Sequence, residues 1–80
     1  MNKKQIPFEQ RNREILIKEM YFHCDYEDAV VRTLPTTGAV RFFVRLHHGG
    51  MEYEVEQRST IAMQVRESPV PITREDYWGF

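Results

Sequence analysis

Hydrophobic and polar positions change their period along the chain, and each change marks an element. Residues 8 to about 23 contain neither Gly nor Pro, are rich in Glu, Arg, Lys, Leu and Met, and follow Pro7, which suits a first helical turn. This stretch reads as a helix. Glu9/Arg13 and Glu14/Lys18 stand acid-first at i,i+4 spacing, each pair supporting a helix by about 0.3 kcal/mol. On a wheel of about 100° per residue, Leu16, Ile17, Met20, Tyr21 and Cys24 form one broad apolar arc. Phe8, Ile15 and Phe22 form a separate narrow stripe. A sheet would take the arc, and the stripe would need a second cover. The runs Ile15-Leu16-Ile17 and Tyr21-Phe22 also fit a buried strand.

From Tyr26 the period falls toward two. Val30, Val31 and Leu34 lead into Pro35-Thr36-Thr37-Gly38, a turn by composition. Residues 39–47 and 51–58 read as two strands around His48-Gly49-Gly50. With Gly49-Gly50 as a two-residue turn, Leu46 faces Tyr53, Val44 faces Val55, Arg45 faces Glu54 and His47 faces Glu52. The apolar face is then Phe42, Val44, Leu46, Met51, Tyr53 and Val55. In residues 59–67, Ile61, Met63 and Val65 alternate as in a strand, although Ser59 could cap a helix there; the alternation favours a strand. Pro69-Val70-Pro71 must be extended, and Thr73-Arg74-Glu75-Asp76 resembles a helix start with room for one turn.

The expected architecture is α+β: an N-terminal helix packed on a small three- to four-stranded antiparallel sheet, with a short C-terminal aromatic turn. The 80 residues allow one domain, 1–80. Its net stability should lie near about 4–12 kcal/mol.

Charge narrows the function classes. Eleven Lys+Arg against twelve Asp+Glu give a net charge of −1, which removes the default argument for a binder of nucleic acid or acidic membrane. One cysteine, Cys24, cannot close an internal disulfide. With no signal peptide and no long apolar run to read, the expected compartment is the reducing cytoplasm.

The chemistry-bearing residues each have a plainer explanation. His23-Cys24 and His47-His48, with Asp25 and Asp28 nearby, are metal-ligand types. Adjacent residues on a strand or helix diverge, so no metal site is expected. Cys24 beside His23 suits a nucleophile, yet its position in the apolar arc points to an inert buried thiol. Glu52, Glu54 and Glu56 share one strand face and read as a charge ladder across from Arg45 and His47 rather than as acid/base catalysts. Arg41, Phe43 and Arg45 alternate outward and could stack bases and hold phosphates, although glutamates face them. Tyr77, Trp78 and Phe80 crowd the last four residues and either close the core or dock on a partner.

These readings favour a non-enzymatic, cytoplasmic protein-binding module of regulator or inhibitor type, without cofactors. It would self-associate as a homodimer, or bind another protein, through Phe8, Ile15, Phe22, Tyr77, Trp78 and Phe80. Nucleic-acid binding through Arg41, Phe43 and Arg45 is the alternative, and a metal-dependent enzyme built on the histidines a distant third.

Overall fold

The computed structural model describes Ile15 and residues 17–80. Four strands follow one another: β1 (Met20–Cys24), β2 (Ala29–Thr36), β3 (Ala39–Arg45) and β4 (Tyr53–Val55). Helix α1 (Thr60–Glu67), strand β5 (Val70–Pro71) and the single-turn helix α2 (Arg74–Trp78) complete the order. The sheet is antiparallel throughout, in the order β4-β3-β2-β1-β5.

Side-chain alternation gives the sheet two distinct faces. Met20, Phe22 and Cys24 of β1, Val31 and Thr33 of β2, and Val40, Phe42 and Val44 of β3 are buried on one face. Ile61, Ala62 and Val65 of α1 close over that face, joined by Ile15. Spacing i, i+1, i+4 on α1 is a helical face. Fully burying a residue such as Phe22 or Phe42 contributes about 1.5–3 kcal/mol. The opposite face carries Tyr21, Arg32, Phe43 and Arg45. There α2 lies across the sheet, with the Tyr77 ring 5.4 Å from that of Tyr21.

Several expectations are corrected. No N-terminal helix packs on the sheet among the described residues: residues 20–24 are strand β1, because Met20, Phe22 and Cys24 alternate inward with Tyr21 and His23 between them. Aromatic and alternating side chains fit a pleated, half-buried surface better than a helix flank. Of the Phe8, Ile15 and Phe22 stripe, Phe22 lies on strand β1 rather than on a helix, and both Ile15 and Phe22 are buried in the core. Phe8, Leu16 and the Glu9/Arg13 pair lie outside the described residues, as does Glu14 of the second pair. Among the described residues the sheet has five strands rather than three or four.

Residues 59–67 hold α1, not a strand. Ser59 caps it by accepting from the Ala62 N–H, and Met63, which the strand reading turns inward, is exposed. The short C-terminal turn stands as α2, where Thr73 and Asp76 form a reciprocal capping box.

The hairpin register also differs. Val44 pairs with Tyr53, Phe43 with Glu54 and Phe42 with Val55, so β4 is slipped by two residues from the expected pairing while its face parity is kept. The two glycines serve a wider loop. Gly49 has φ +73°, the Gly50 N–H donates to the His47 carbonyl at 2.8 Å, and a Cβ on Gly50 would meet that oxygen at 2.9 Å. A two-residue type I′ turn needs positive φ at both central residues, and only Gly49 has it.

Cys24 is buried between β1 and α1, with its Sγ–H donating to Gln64 Oε1 at 3.5 Å. A thiol reagent should therefore react slowly with the native protein and rapidly once denaturant is added. Equal rates in the two states would show that this seam is open.

Candidate functional site

The outer face is organised around Arg32, a β2 residue whose side chain is 15% exposed. Its Nε and Nη2 donate to the two oxygens of Glu52 at 2.8 and 2.7 Å, a bidentate pair. Glu52 also accepts the Tyr77 hydroxyl at 2.6 Å, so the β3–β4 loop, β2 and α2 meet at one carboxylate. Arg32 Nη1 reaches Glu19 at 3.4 Å, and Glu19 in turn accepts the Tyr21 hydroxyl. Hydrogen bonding from Arg32 outweighs partial desolvation and holds the Glu52 carboxyl below its ordinary range. Burial, then the bond to Glu52, pushes the Tyr77 hydroxyl well above the usual tyrosine value.

Aromatic rings are interleaved with these charges. The Arg32 guanidinium lies 4.4 Å from the Phe43 ring centre and 5.7 Å from that of Trp78, and Arg41 lies 5.0 Å from Phe43. Arg45 sits 5.9 Å from Trp78, while its Nε and Nη1 donate to the backbone carbonyls of Gly50 and Tyr77 at 3.0 and 2.6 Å. Arg41 forms a second bidentate pair, with Glu54, at 2.9 and 2.7 Å. The Trp78 and Tyr77 rings pack perpendicular to each other at 4.9 Å, and Trp78 remains 47% exposed.

A second polar cluster lies at the end of the sheet where the β1–β2 turn meets the β3–β4 loop. Asp28 has one oxygen 2.9 Å from His48 Nε2 and the other 3.8 Å from His23 Nε2, and Asp25 lies 3.4 Å from His23 Nδ1. The hydrogen bond with His48 lowers the Asp28 carboxyl from its ordinary value. His48 stacks on Phe80 at 3.9 Å, and the Gly49 N–H donates to the Phe80 backbone oxygen at 2.7 Å. Among the described residues, no three His, Cys, Asp or Glu side chains are grouped so as to hold a metal ion.

On the opposite face, Arg66 and Gln57 border a groove of about 230 Å³ with Ile15, Gly38, Val40 and Phe42. Both polar side chains are engaged: Arg66 donates to the Gln57 carbonyl at 2.7 Å and Gln57 to the Val40 carbonyl at 3.0 Å.

Of the residues singled out in the sequence, Arg41, Phe43 and Arg45 do share one sheet face. Arg45 is buried, however, and Arg41 is paired. Tyr77 is fully buried, Trp78 stands at the surface and Phe80 is half-buried. The acidic row has other partners than expected: Glu52 takes Arg32 and Tyr77, and Glu54 takes Arg41. Arg32, the hub, was not singled out. The signal for it was the alternation of Val31 and Thr33 with Val30, Arg32 and Leu34, which marks a strand with an outward arginine. No protein-family model, curated protein or solved structure matches the chain.

Proposed function

We propose that the chain is a non-enzymatic protein-binding module of the regulator or inhibitor kind, acting through the outer face around Trp78. The observation that carries this reading is the setting of Trp78. The residue is about half exposed, yet the guanidiniums of Arg32 and Arg45 lie 5.7 and 5.9 Å from its ring centre and the Tyr77 ring stands perpendicular to it. An aromatic side chain restrained before binding loses little conformational freedom on docking, and Trp, Tyr and Arg are the residues that dominate protein interfaces. Phe43 and the Arg41–Glu54 pair supply an apolar neighbour and a polar rim.

The polar groups of this face are engaged with one another, which suits a scaffold that orients an anchor. Nucleic-acid binding through Arg41, Phe43 and Arg45 ranks second. Arg45 is committed to two carbonyls, and the Phe43 ring already carries two guanidiniums. A cytoplasmic setting accords with the single cysteine being a buried free thiol.

The test is capture from an extract of the source cells by immobilised wild-type protein and by Trp78→Ala, with melting curves for both. The expected result is a partner retained by the wild type and lost by a variant that still melts cooperatively. A partner held equally by both proteins would move the site away from Trp78, and the absence of any specific partner would count against protein binding.

A further inference from the structure

The two edges of the sheet are built in opposite ways. Strand β5 is Val70–Pro71 and is preceded by Pro69, and proline offers no N–H to an incoming strand. Strand β4 contains no proline, and among the described residues no strand pairs with its outer side. Large apolar side chains at β4 and just before it stand in water: Tyr53 is 45% exposed and Met51, in the preceding loop, 89%. Tyr53 and Val55 belong to the face covered by α1, since they pair with Val44 and Phe42, and Glu54 belongs to the outer face. Glu56 follows Glu54 at the same parity and is exposed.

We propose that the β4 edge accepts an extended segment of a partner protein as a further strand, one whose side chains alternate apolar and basic. Backbone hydrogen bonds along β4 would give the affinity, as in other cases of strand addition. Apolar side chains of the segment would cover Tyr53 and Met51, and basic ones would meet Glu54 and Glu56. Glu54 retains this capacity despite Arg41, because each of its oxygens takes one N–H and keeps a further acceptor site. The same charges disfavour a second copy of the chain, since antiparallel self-pairing of β4 sets Glu54 opposite Glu54 or Glu52 of the other copy. The inference deepens the protein-binding reading and shares only Glu54 with the face around Trp78; the contacts at Tyr53, Met51 and Glu56 are its own, so the two can fail separately.

The test uses the full chain and short fluorescein-labelled peptides: alternating Val and Lys, alternating Val and Glu, and the Val/Lys peptide N-methylated at every second backbone nitrogen. The Val/Lys peptide should bind with amide shift changes gathered on β4 and β3. The Val/Glu peptide should bind at least about tenfold more weakly, and the N-methylated peptide should lose binding along with its backbone donors. Glu56→Lys and Tyr53→Ser, both surface changes, should weaken binding while the protein still melts cooperatively. Trp78→Ala should bind the peptide as the wild type does. The proposal is overturned by equal binding of the Val/Glu peptide, by retained binding of the N-methylated one, or by shift changes centred on Trp78. Absence of Val/Lys binding at millimolar peptide would overturn it too. Concentration-dependent dimerisation abolished by Tyr53→Ser would overturn the choice of occupant.

Discussion

Replacing Tyr77 with alanine should destabilise the protein by about 3–5 kcal/mol, the usual cost of truncating a buried aromatic. Tyr77 has no solvent exposure, packs against Tyr21 and Trp78, donates to Glu52, and offers its carbonyl to Arg45. For a domain of this size the loss amounts to a fall in melting temperature of at least about 12 °C. It is also a large part of a total stability of about 4–12 kcal/mol. Tyr77→Phe separates the ring from the hydroxyl: it keeps the packing and removes one hydrogen bond to a carboxylate, so it should cost only about 1.5 kcal/mol. Thermal melts of the three proteins by circular dichroism check both figures. Equal losses in the two variants would mean that the hydroxyl, rather than the ring, ties α2 to the sheet.

Glu52→Ala should cost about 2–3 kcal/mol, because it strips a mostly buried guanidinium of its bidentate partner and a buried hydroxyl of its acceptor. The carboxyl is depressed in the folded state, chiefly by the hydrogen bonds from Arg32. Its contribution is therefore complete above the unfolded glutamate value of about 4.3 and is lost as pH falls through the lower folded value. The gap in melting temperature between wild type and Glu52→Gln should thus be widest near neutrality and shrink steadily in acid below about pH 4.3. A gap that stays constant, or widens, as pH falls would show that the pair does not hold Glu52 ionised.

The parts of this fold that could be read from sequence are those where local chemistry and tertiary environment agree. Strand β3 follows its alternation, and α2 begins at the capping box formed by Thr73 and Asp76. The errors fall where one pattern serves two structures. Met20 to Cys24 sits on an apolar arc when wound as a helix and alternates when extended, and the sheet decides in favour of the strand. Ile61, Met63 and Val65 alternate, but Ala62 rather than Met63 is buried, since the helix turns Ile61, Ala62 and Val65 toward the sheet. The hairpin gave correct faces and a wrong register because hydrophobic parity is unchanged by a slip of two residues. The same slip concealed the site. Moving Glu54 from Arg45 to Phe43 frees Arg45 to bind two carbonyls, while Glu52, out in the loop, meets Arg32, a residue distant in sequence.

The strand order has a kinetic consequence. β1 to β4 are each neighbours in both sequence and space, so three hairpins can close over short loops. β5 must instead return across the length of the chain to reach β1, and α2 follows it. The C-terminal strand and helix should accordingly dock last in folding and open first in the native state, at lower free energy than the central strands. Amide hydrogen exchange should run faster around Val70 and Tyr77 than at Val31 or Val44. A ligand that grips Trp78 would then act on the step that completes the sheet, slowing exchange at β5 while leaving the central hairpin unchanged.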